Sequence, residues 1–121
     1  MGQWRPVAGH ARGTDVGRGV KLYLAVLDDL TPGERIAQAA HAVTEMAVGN
    51  CEAFRRWHSG SNTLVVVTMD AGALERLLVT AMAHGDAVVE FREPDRGMER
   101  TAIAVFPTEG TRRLLRRARL A

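Results

Sequence analysis

Residues 21–43, KLYLAVLDDLTPGERIAQAAHAV, combine the clearest strand pattern and the clearest helix start of the chain. The first part, Lys21–Leu27, is a nearly continuous apolar run, which is typical of a strand buried on both faces. After a polar break, Thr31 has the features of a helix N-cap, with Pro32 at the first helical position and Glu34 three residues after the cap. The stretch therefore predicts a strand, a short turn and a helix that begins at Pro32.

The predicted helix has two chemically different sides. At about 100° per residue, one stripe of the helix carries four polar side chains, Glu34, Gln38, His41 and Glu45. The opposite side is apolar and consists of Ile36, Ala39, Ala40, Val43 and Ala47. A stripe with a carboxylate, an amide and an imidazole could form a site, and it could equally be a helix face exposed to solvent. The pattern leaves both interpretations open.

The rest of the chain alternates between strand and helix patterns. Residues 1–19 contain five glycines and no apolar periodicity, so we expect a flexible N-terminal arm before a single domain over residues 20–121. The predicted strands are Val20–Leu27, Thr63–Met69, Ala87–Phe91 and Thr101–Phe106, and the predicted helices are Pro32–Val48, Cys51–His58, Ala71–His84 and Glu109–Arg119. This order predicts an α/β fold with helices on the faces of its sheet. The short loop Arg92–Arg100 indicates that the last two strands are antiparallel, which would make the sheet mixed.

The composition is that of an ordinary soluble globular protein, with 46% hydrophobic and 25% charged residues. The apolar runs are too short to cross a membrane, and the first residues lack the pattern of a secretory signal. The single cysteine, Cys51, rules out an internal disulfide and fits a reducing compartment. We therefore expect a cytoplasmic protein that does not associate with membranes.

The basic residues are almost all arginine. Lys21 is the only lysine among 16 basic residues, and five arginines lie between Arg112 and Arg119 with no acidic residue after Glu109. Because guanidinium is a planar fork suited to phosphate, this cluster indicates an anionic partner, of which RNA is the obvious one. The alternative is a solvated helix end, where the helix dipole also favours cations.

Strand ends indicate where polar residues could meet. Ligands of α/β sheets usually lie at the carboxyl ends of strands, and the helix at Pro32 begins just after the first strand. If the strand that starts at Thr101 runs antiparallel to the first strand, Thr101 neighbours Glu34 and Gln38 at that edge. The chain has no glycine-rich phosphate loop, no GxSxG motif and no cysteine–histidine metal spacing, so we predict neither a cofactor nor a metal.

Two segments resemble a known family. The first segment lies on the predicted helix after the first strand, and it reads Gln38-Ala-Ala-His41-Ala42, with Gly33 before it. It is similar to the glutamine–histidine helix of the type 2 peptidyl-tRNA hydrolases of archaea and eukaryotes. Thr101-Ala-Ile-Ala-Val-Phe-Pro107 is similar to the threonine-to-proline segment of the last strand in that family. The resemblance extends from about Val20 to the C-terminus, with the order of elements preserved.

The resemblance implies a three-layer α/β/α fold with a four-stranded mixed sheet, often dimeric. The implied activity is hydrolysis of the ester between a peptide and the 3′ ribose of tRNA. Two departures from the family pattern stand out: Glu34 occupies the position of a family lysine, and the segment Arg92–Arg100 replaces a longer loop with the motif D-A-G-x-T. A carboxylate at position 34 could act as a general base, but it cannot stabilise an oxyanion.

These observations give a predicted site and partners. The predicted catalytic residues are Glu34, Gln38, His41 and Thr101, with Glu34 or His41 as the base and Thr101 as a polar orienter. The predicted substrate-binding residues are Arg35, Asp95, Arg112, Arg113 and Arg116. The expected partners are tRNA and a second copy of the chain. Two alternatives stay open: a non-catalytic relative that binds tRNA or another RNA, and a dimeric interaction module.

Overall fold

The computed structural model describes residues 20–121, and the predicted arm, residues 1–19, lies outside the described residues. The strands are β1 (Lys21–Leu27), β2 (Thr63–Met69), β3 (Ala87–Glu93), β4 (Glu99–Phe106) and β5 (Arg119–Leu120). The helices are α1 (Pro32–Gly49), α2 (Cys51–Ser59), α3 (Ala71–Ala83) and α4 (Glu109–Leu115), and a 3-10 turn, Pro94–Arg96, joins β3 to β4.

The strands form one mixed sheet in the order β3-β4-β1-β2-β5. β1 and β2 are parallel and are connected through α1 and α2, as a parallel pair requires. β4 runs antiparallel to both β1 and β3, and β5 runs antiparallel to β2. The predictions of an α/β fold, a mixed sheet and an antiparallel final pair are therefore confirmed.

β1 is buried on both of its faces, as its continuous apolar sequence predicts. Leu22, Leu24 and Val26 belong to a cluster with residues of α1 and α2. The alternate residues Ala25 and Leu27 belong to a second cluster with residues of α3 and α4. Each of these five side chains is at most 3% exposed. The two alternating sets of β1 side chains therefore contact different pairs of helices.

The sheet has five strands, one more than the sequence predicts, because the last helix ends early. The sequence predicts a helix as far as Arg119, but backbone hydrogen bonds of Arg117 and Ala118 close it in a tight turn after Leu115. Arg119 and Leu120 then pair with the edge of β2. Arginine and leucine favour helix, so the pairing with an open strand edge overrides local propensity here.

The predicted loop Arg92–Arg100 is a hairpin in which both strands continue past the core. β3 extends to Glu93 rather than Phe91, and β4 begins at Glu99 rather than Thr101. Gly97 and Met98 make the turn with φ of 64° and 65°. The added strand residues, Arg92, Glu93, Glu99 and Arg100, are all charged, and for this reason their sequence has the pattern of a loop.

The buried side of α1 differs from the apolar side that the sequence indicates. Gln38, Ala42 and Met46, which follow one another at intervals of one turn, are buried, whereas Ile36 is 73% exposed. α1 packs mainly on β1, β3 and β4. The apolar side of the helix consequently faces an open groove of about 510 Å³ beside β2. We call this the apolar groove; its lining is Leu24, Pro32, Arg35, Ile36, Ala39, Ala40, Val43, Leu64, Val66 and Ala121.

Among the residues that the structure describes, no helix has both the length and the apolar character needed to cross a membrane.

Candidate functional site

The candidate site lies where β1 ends, beside the first half of α1. Because β4 is antiparallel to β1, with Val26 opposite Ala102, the first half of β4 reaches the edge of the sheet at which β1 finishes. This places Thr101 under α1, in agreement with the prediction from an antiparallel arrangement. The last residues of β3, on the other side of β4, reach the same edge.

A chain of hydrogen bonds joins three elements at this edge. The Thr101 hydroxyl donates to Gln38 Oε1 over 2.9 Å, and Gln38 Nε2 donates to Glu93 Oε1 over 2.7 Å. Thr101 is fully buried, and Gln38 is 5% exposed. The contact of Thr101 with Gln38 is therefore confirmed, and the part of the polar stripe that includes Gln38 is not a simple solvated helix face.

The direction of this chain follows from its two ends. A carboxylate can only accept, so the amide nitrogen of Gln38 must face Glu93 and its oxygen must face the threonine hydroxyl. The bond to Glu93 is charge-assisted, which makes it the stronger of the two. Because the amide is buried, loss of either partner leaves a polar atom of Gln38 unsatisfied. The chain thus holds helix α1, β4 and the end of β3 in one arrangement.

Glu93 is the ionised end of the chain. The hydrogen bond from Gln38 and a second bond from the backbone N–H of Asp95 lower the pKa of the Glu93 carboxyl, and desolvation opposes them. The positive charges of His41 and Arg96 lower this pKa further. The carboxylate is therefore negatively charged at neutral pH and can stabilise a cation beside it.

His41 is the titratable side chain of the site whose ring is exposed. Its ring lies flat on Phe91, with the ring centroids 4.3 Å apart and the planes 9° from parallel, while the residue itself is exposed. Stacking on a rigid strand residue fixes the orientation of the ring and leaves its edge accessible. Imidazole is the side chain that most often serves as a general acid or base in proteins.

Glu34 has a structural role at the start of α1. Its carboxylate accepts from the backbone N–H of Thr31, and the Thr31 hydroxyl accepts from the backbone N–H of Glu34, which completes a capping box. The predicted N-cap is thus confirmed. The Thr31 N–H lowers the pKa of the Glu34 carboxyl. Among the described residues, no hydrogen bond joins Glu34 to Gln38 or Thr101.

Arg96 supplies a cation close to the candidate site. It pairs with Glu99 over 2.8 Å and with Asp29 over 3.3 Å. Its positive charge adds to the hydrogen bonds that lower the pKa of Glu34 and of Glu93. A guanidinium from the β3–β4 hairpin therefore lies near the helix start at which the resembled family carries its lysine.

Arg35 and Asp95 lie beside the site without joining its hydrogen-bond chain. Arg35 donates to the carbonyl oxygen of Asp28 over 3.1 Å and lines the apolar groove. Asp95 contributes its backbone N–H to Glu93, and its residue is exposed on the 3-10 turn. Their assignment as substrate-binding residues remains a prediction.

The three C-terminal arginines predicted to bind substrate differ in their surroundings. Arg112 and Arg116 both pair with Glu109, over 3.1 and 2.9 Å, and Arg112 also donates to the carbonyl oxygen of Pro107. Arg113 is exposed. Two of the three guanidinium groups are therefore already engaged with a carboxylate, far from Gln38 in sequence and on another helix.

Three contributors, Glu93, Phe91 and Arg96, are not among the predicted site residues, although the sequence offers Glu93 as a carboxylate in the segment Arg92–Arg100. All three belong to the β3–β4 hairpin, which is longer than the sequence predicts. The signal that could have found the first two is their spacing of two residues, which puts strand residues on one side of a sheet. The position of Arg96 depends on the turn geometry and has no comparable signal in the sequence.

Among residues 20–121, no group of three or more histidine, cysteine, aspartate or glutamate side chains is arranged to hold a metal ion. Comparison with protein-family models and with curated proteins finds no match for the chain.

Proposed function

We propose that this protein hydrolyses the ester that links a peptide to the 3′ ribose of tRNA, in the cytoplasm, as the resembled type 2 peptidyl-tRNA hydrolases do. The observation that carries the proposal is the buried chain from Thr101 through Gln38 to Glu93, beside an accessible imidazole. It unites the glutamine, the histidine and the threonine on which the resemblance rests. The burial of β1 between two sets of helices also fits the three-layer arrangement of that family.

In the proposed reaction His41 is the general base. It takes a proton from a water molecule as the water oxygen bonds to the ester carbonyl carbon, and it returns a proton to the ribose oxygen when the ester bond breaks. Glu93 stabilises the imidazolium that forms between these steps. Gln38 and Thr101 are positioning residues, since the buried Thr101 hydroxyl acts through Gln38.

The developing oxyanion needs a positive neighbour, which Glu34 cannot provide. Arg96 is the candidate, because its charge already acts on Glu34 and Glu93. To reach the oxyanion it has to exchange its present partners, Glu99 or Asp29, for the reacting group. In this proposal the hairpin guanidinium takes over the electrostatic role of the family lysine. Glu34 then caps helix α1 and takes no part in the reaction. Arginine side chains outside the reacting centre bind the tRNA.

The test is release of the peptide from an N-blocked aminoacyl-tRNA by the purified protein. His41→Asn should lower kcat at least about 100-fold, since general base catalysis contributes about 10²–10⁴. His58→Asn, which alters another exposed histidine, is the matched control and should retain activity. Absence of release by the unaltered protein, or equal losses in the two variants, contradicts the hydrolase proposal.

A second candidate function is a catalytically degenerate family member that binds RNA or acts as an interaction module. The observation that favours it is that position 34, where the resembled family has a lysine, holds a carboxylate that caps helix α1. Salt-dependent tRNA binding without any peptide release would support this alternative over the hydrolase.

We also propose that the chain forms a homodimer through the apolar groove. Ile36 and Leu64 are 73% and 46% exposed at its rim, an arrangement that water does not favour. β5 pairs only with Val67 and Thr68, so the N-terminal half of β2 keeps an open edge beside the groove among residues 20–121. A second copy, related by a two-fold axis, would present the same apolar side and the same open edge to the first.

A further inference from the structure

A second cavity, of about 340 Å³, opens at the end of β2 on the side of α3 and α4. It is lined by Arg76 of α3, by Arg117 in the turn after α4 and by Arg119 of β5. We call it the arginine cavity; Asp28 and Asp70 also line it. The cavity lies outside the candidate site, and no step of the proposed reaction uses it.

The three arginines differ from most others in the structure. Arg92, Arg96, Arg100, Arg112 and Arg116 each pair with a carboxylate. Within residues 20–121 no carboxylate lies within 4.0 Å of the guanidinium nitrogens of Arg76, Arg117 or Arg119. All three residues are exposed. Their hydrogen-bond donors are therefore available to an external anion, and a planar guanidinium is suited to a phosphate group.

Two carboxylates lie in the same cavity. Asp70 is the N-cap of α3, where its Oδ1 accepts from the backbone N–H of Ala73 over 2.8 Å. Asp28 follows the end of β1 and is exposed. Three cations thus face two anions, one of which already serves the helix. The cavity therefore carries a net positive charge, which attracts an anion.

The arginine cavity and the candidate site share one edge of the sheet. One row of paired residues crosses the sheet from β4 through β1 and β2 to β5, and it consists of Ala102, Val26, Thr68 and Arg119. At about 4.8 Å per strand, Arg119 lies about 14 Å from the residue next to Thr101. Because successive phosphates of a helical strand advance by about 3.4 Å, a short run of nucleotides can span that distance.

We infer that the arginine cavity binds the phosphodiester backbone of RNA, with Arg76 and Arg117 as its principal contacts. The inference rests on the proposed function, for it assigns the tRNA backbone a place on the far side of the β1–α1 turn from His41. It also moves the RNA contact away from Arg112 and Arg116, which are paired with Glu109.

The test is binding of fluorescently labelled deacylated tRNA at several salt concentrations. Arg76→Gln/Arg117→Gln should weaken binding about tenfold and reduce the slope of log affinity against log salt by about 1.4 to 1.8, as expected for two phosphate contacts. Arg112→Gln/Arg116→Gln removes the same charge and should change affinity less than about twofold. Equal weakening by the two double variants, or an unchanged salt slope, overturns the inference.

A second variant separates binding from damage to the fold. Asp28→Asn removes a negative charge from the same cavity and should strengthen tRNA binding, which a disturbed fold would not do. Unchanged or weaker tRNA binding by Asp28→Asn contradicts the inference. The inference is also contradicted if the cavity binds inorganic pyrophosphate while Arg76→Gln/Arg117→Gln leaves the affinity for tRNA unchanged.

Peptide release distinguishes failure of the inference from failure of the proposed function. A protein that binds tRNA through Arg76 and Arg117 but releases no peptide supports the cavity and contradicts the hydrolase. A protein that releases peptide with the same KM after Arg76→Gln/Arg117→Gln supports the hydrolase and contradicts the cavity.

Discussion

The Thr101 hydroxyl donates to Gln38 Oε1 across 63 residues of sequence, and this single bond ties the start of β4 to helix α1. Both residues are buried, so neither group has water as a substitute partner. The bond therefore connects the stability of the domain with the geometry of its candidate site.

Thr101→Val should destabilise the protein by about 1–3 kcal/mol, because it keeps the shape of the side chain but leaves Gln38 Oε1 without a donor. The free energy of unfolding in urea is the measurement. In a double-mutant cycle with Gln38→Leu, the two losses should fall short of additivity by about 0.5–3 kcal/mol, as for groups in contact. Additive losses would mean that the bond contributes nothing.

Glu93 should make stability depend on pH in acid. Its pKa is lowered in the folded protein, chiefly by the hydrogen bond from Gln38, so its stabilising effect is complete above the ordinary value of 4.5 and is lost as the pH falls through the lower folded value. Glu93→Gln should therefore flatten the fall in Tm below about pH 4.5. Thermal unfolding between about pH 3 and 7 measures this, with Glu45→Gln, at an exposed position of α1, as the control. Parallel curves for Glu93→Gln and the unaltered protein would contradict the assignment.

Thr31→Ala should cost about 1 kcal/mol of stability, since it removes the side chain that caps helix α1. Thr31→Ser keeps the hydroxyl and should remain close to the unaltered protein. Denaturant unfolding compares the two variants. If Thr31→Ser lowers the free energy of unfolding as much as Thr31→Ala does, the threonine methyl group and not the capping hydroxyl is responsible for the loss of stability.

Ile36→Glu should shift the protein from dimer to monomer, because it places a charge at the rim of the apolar groove. Light scattering coupled to size exclusion measures the molar mass. Val79→Glu is the matched control, for Val79 is 58% exposed on α3 and lies outside the groove. Dimers that persist in Ile36→Glu, a monomeric unaltered protein, or dissociation caused equally by Val79→Glu would each exclude the groove as the interface.

The elements with strong local signals are predictable from the sequence. β2 has the bounds that its apolar run predicts, and the start of α1 follows from the chemistry of Thr31, Pro32 and Glu34. The contact of Gln38 with Thr101 is predictable too, because it needs only the strand direction. The bounds of β2 and the start of α1 depend on the conformational preferences of residues within a few positions of one another. The contact of Gln38 with Thr101 depends only on whether β4 runs antiparallel to β1.

The rest depends on contacts between distant segments. β5 forms because the edge of β2 offers hydrogen-bond partners to it. The sequence near Arg119 has no strand pattern that would indicate this pairing. The orientation of α1 is decided by packing on β3 and β4. Ala39 and Val43 of its apolar side still pack against the core, but the side as a whole borders the groove. By contrast, the ion pair of Arg112 with Glu109 is local: the two residues are three positions apart on one helix, and this spacing alone predicts the pair.

The β3–β4 hairpin also has a consequence for how the site assembles during folding. Glu93 and Thr101 lie on its two arms, close in sequence, so closing this hairpin carries a small loss of chain entropy. The partner amide comes from α1, 55 residues away from Glu93. Such long-range contacts form more slowly than local ones. We expect the carboxylate and the hydroxyl to be in register early, and docking of Gln38 between them to mark the moment at which the site becomes complete.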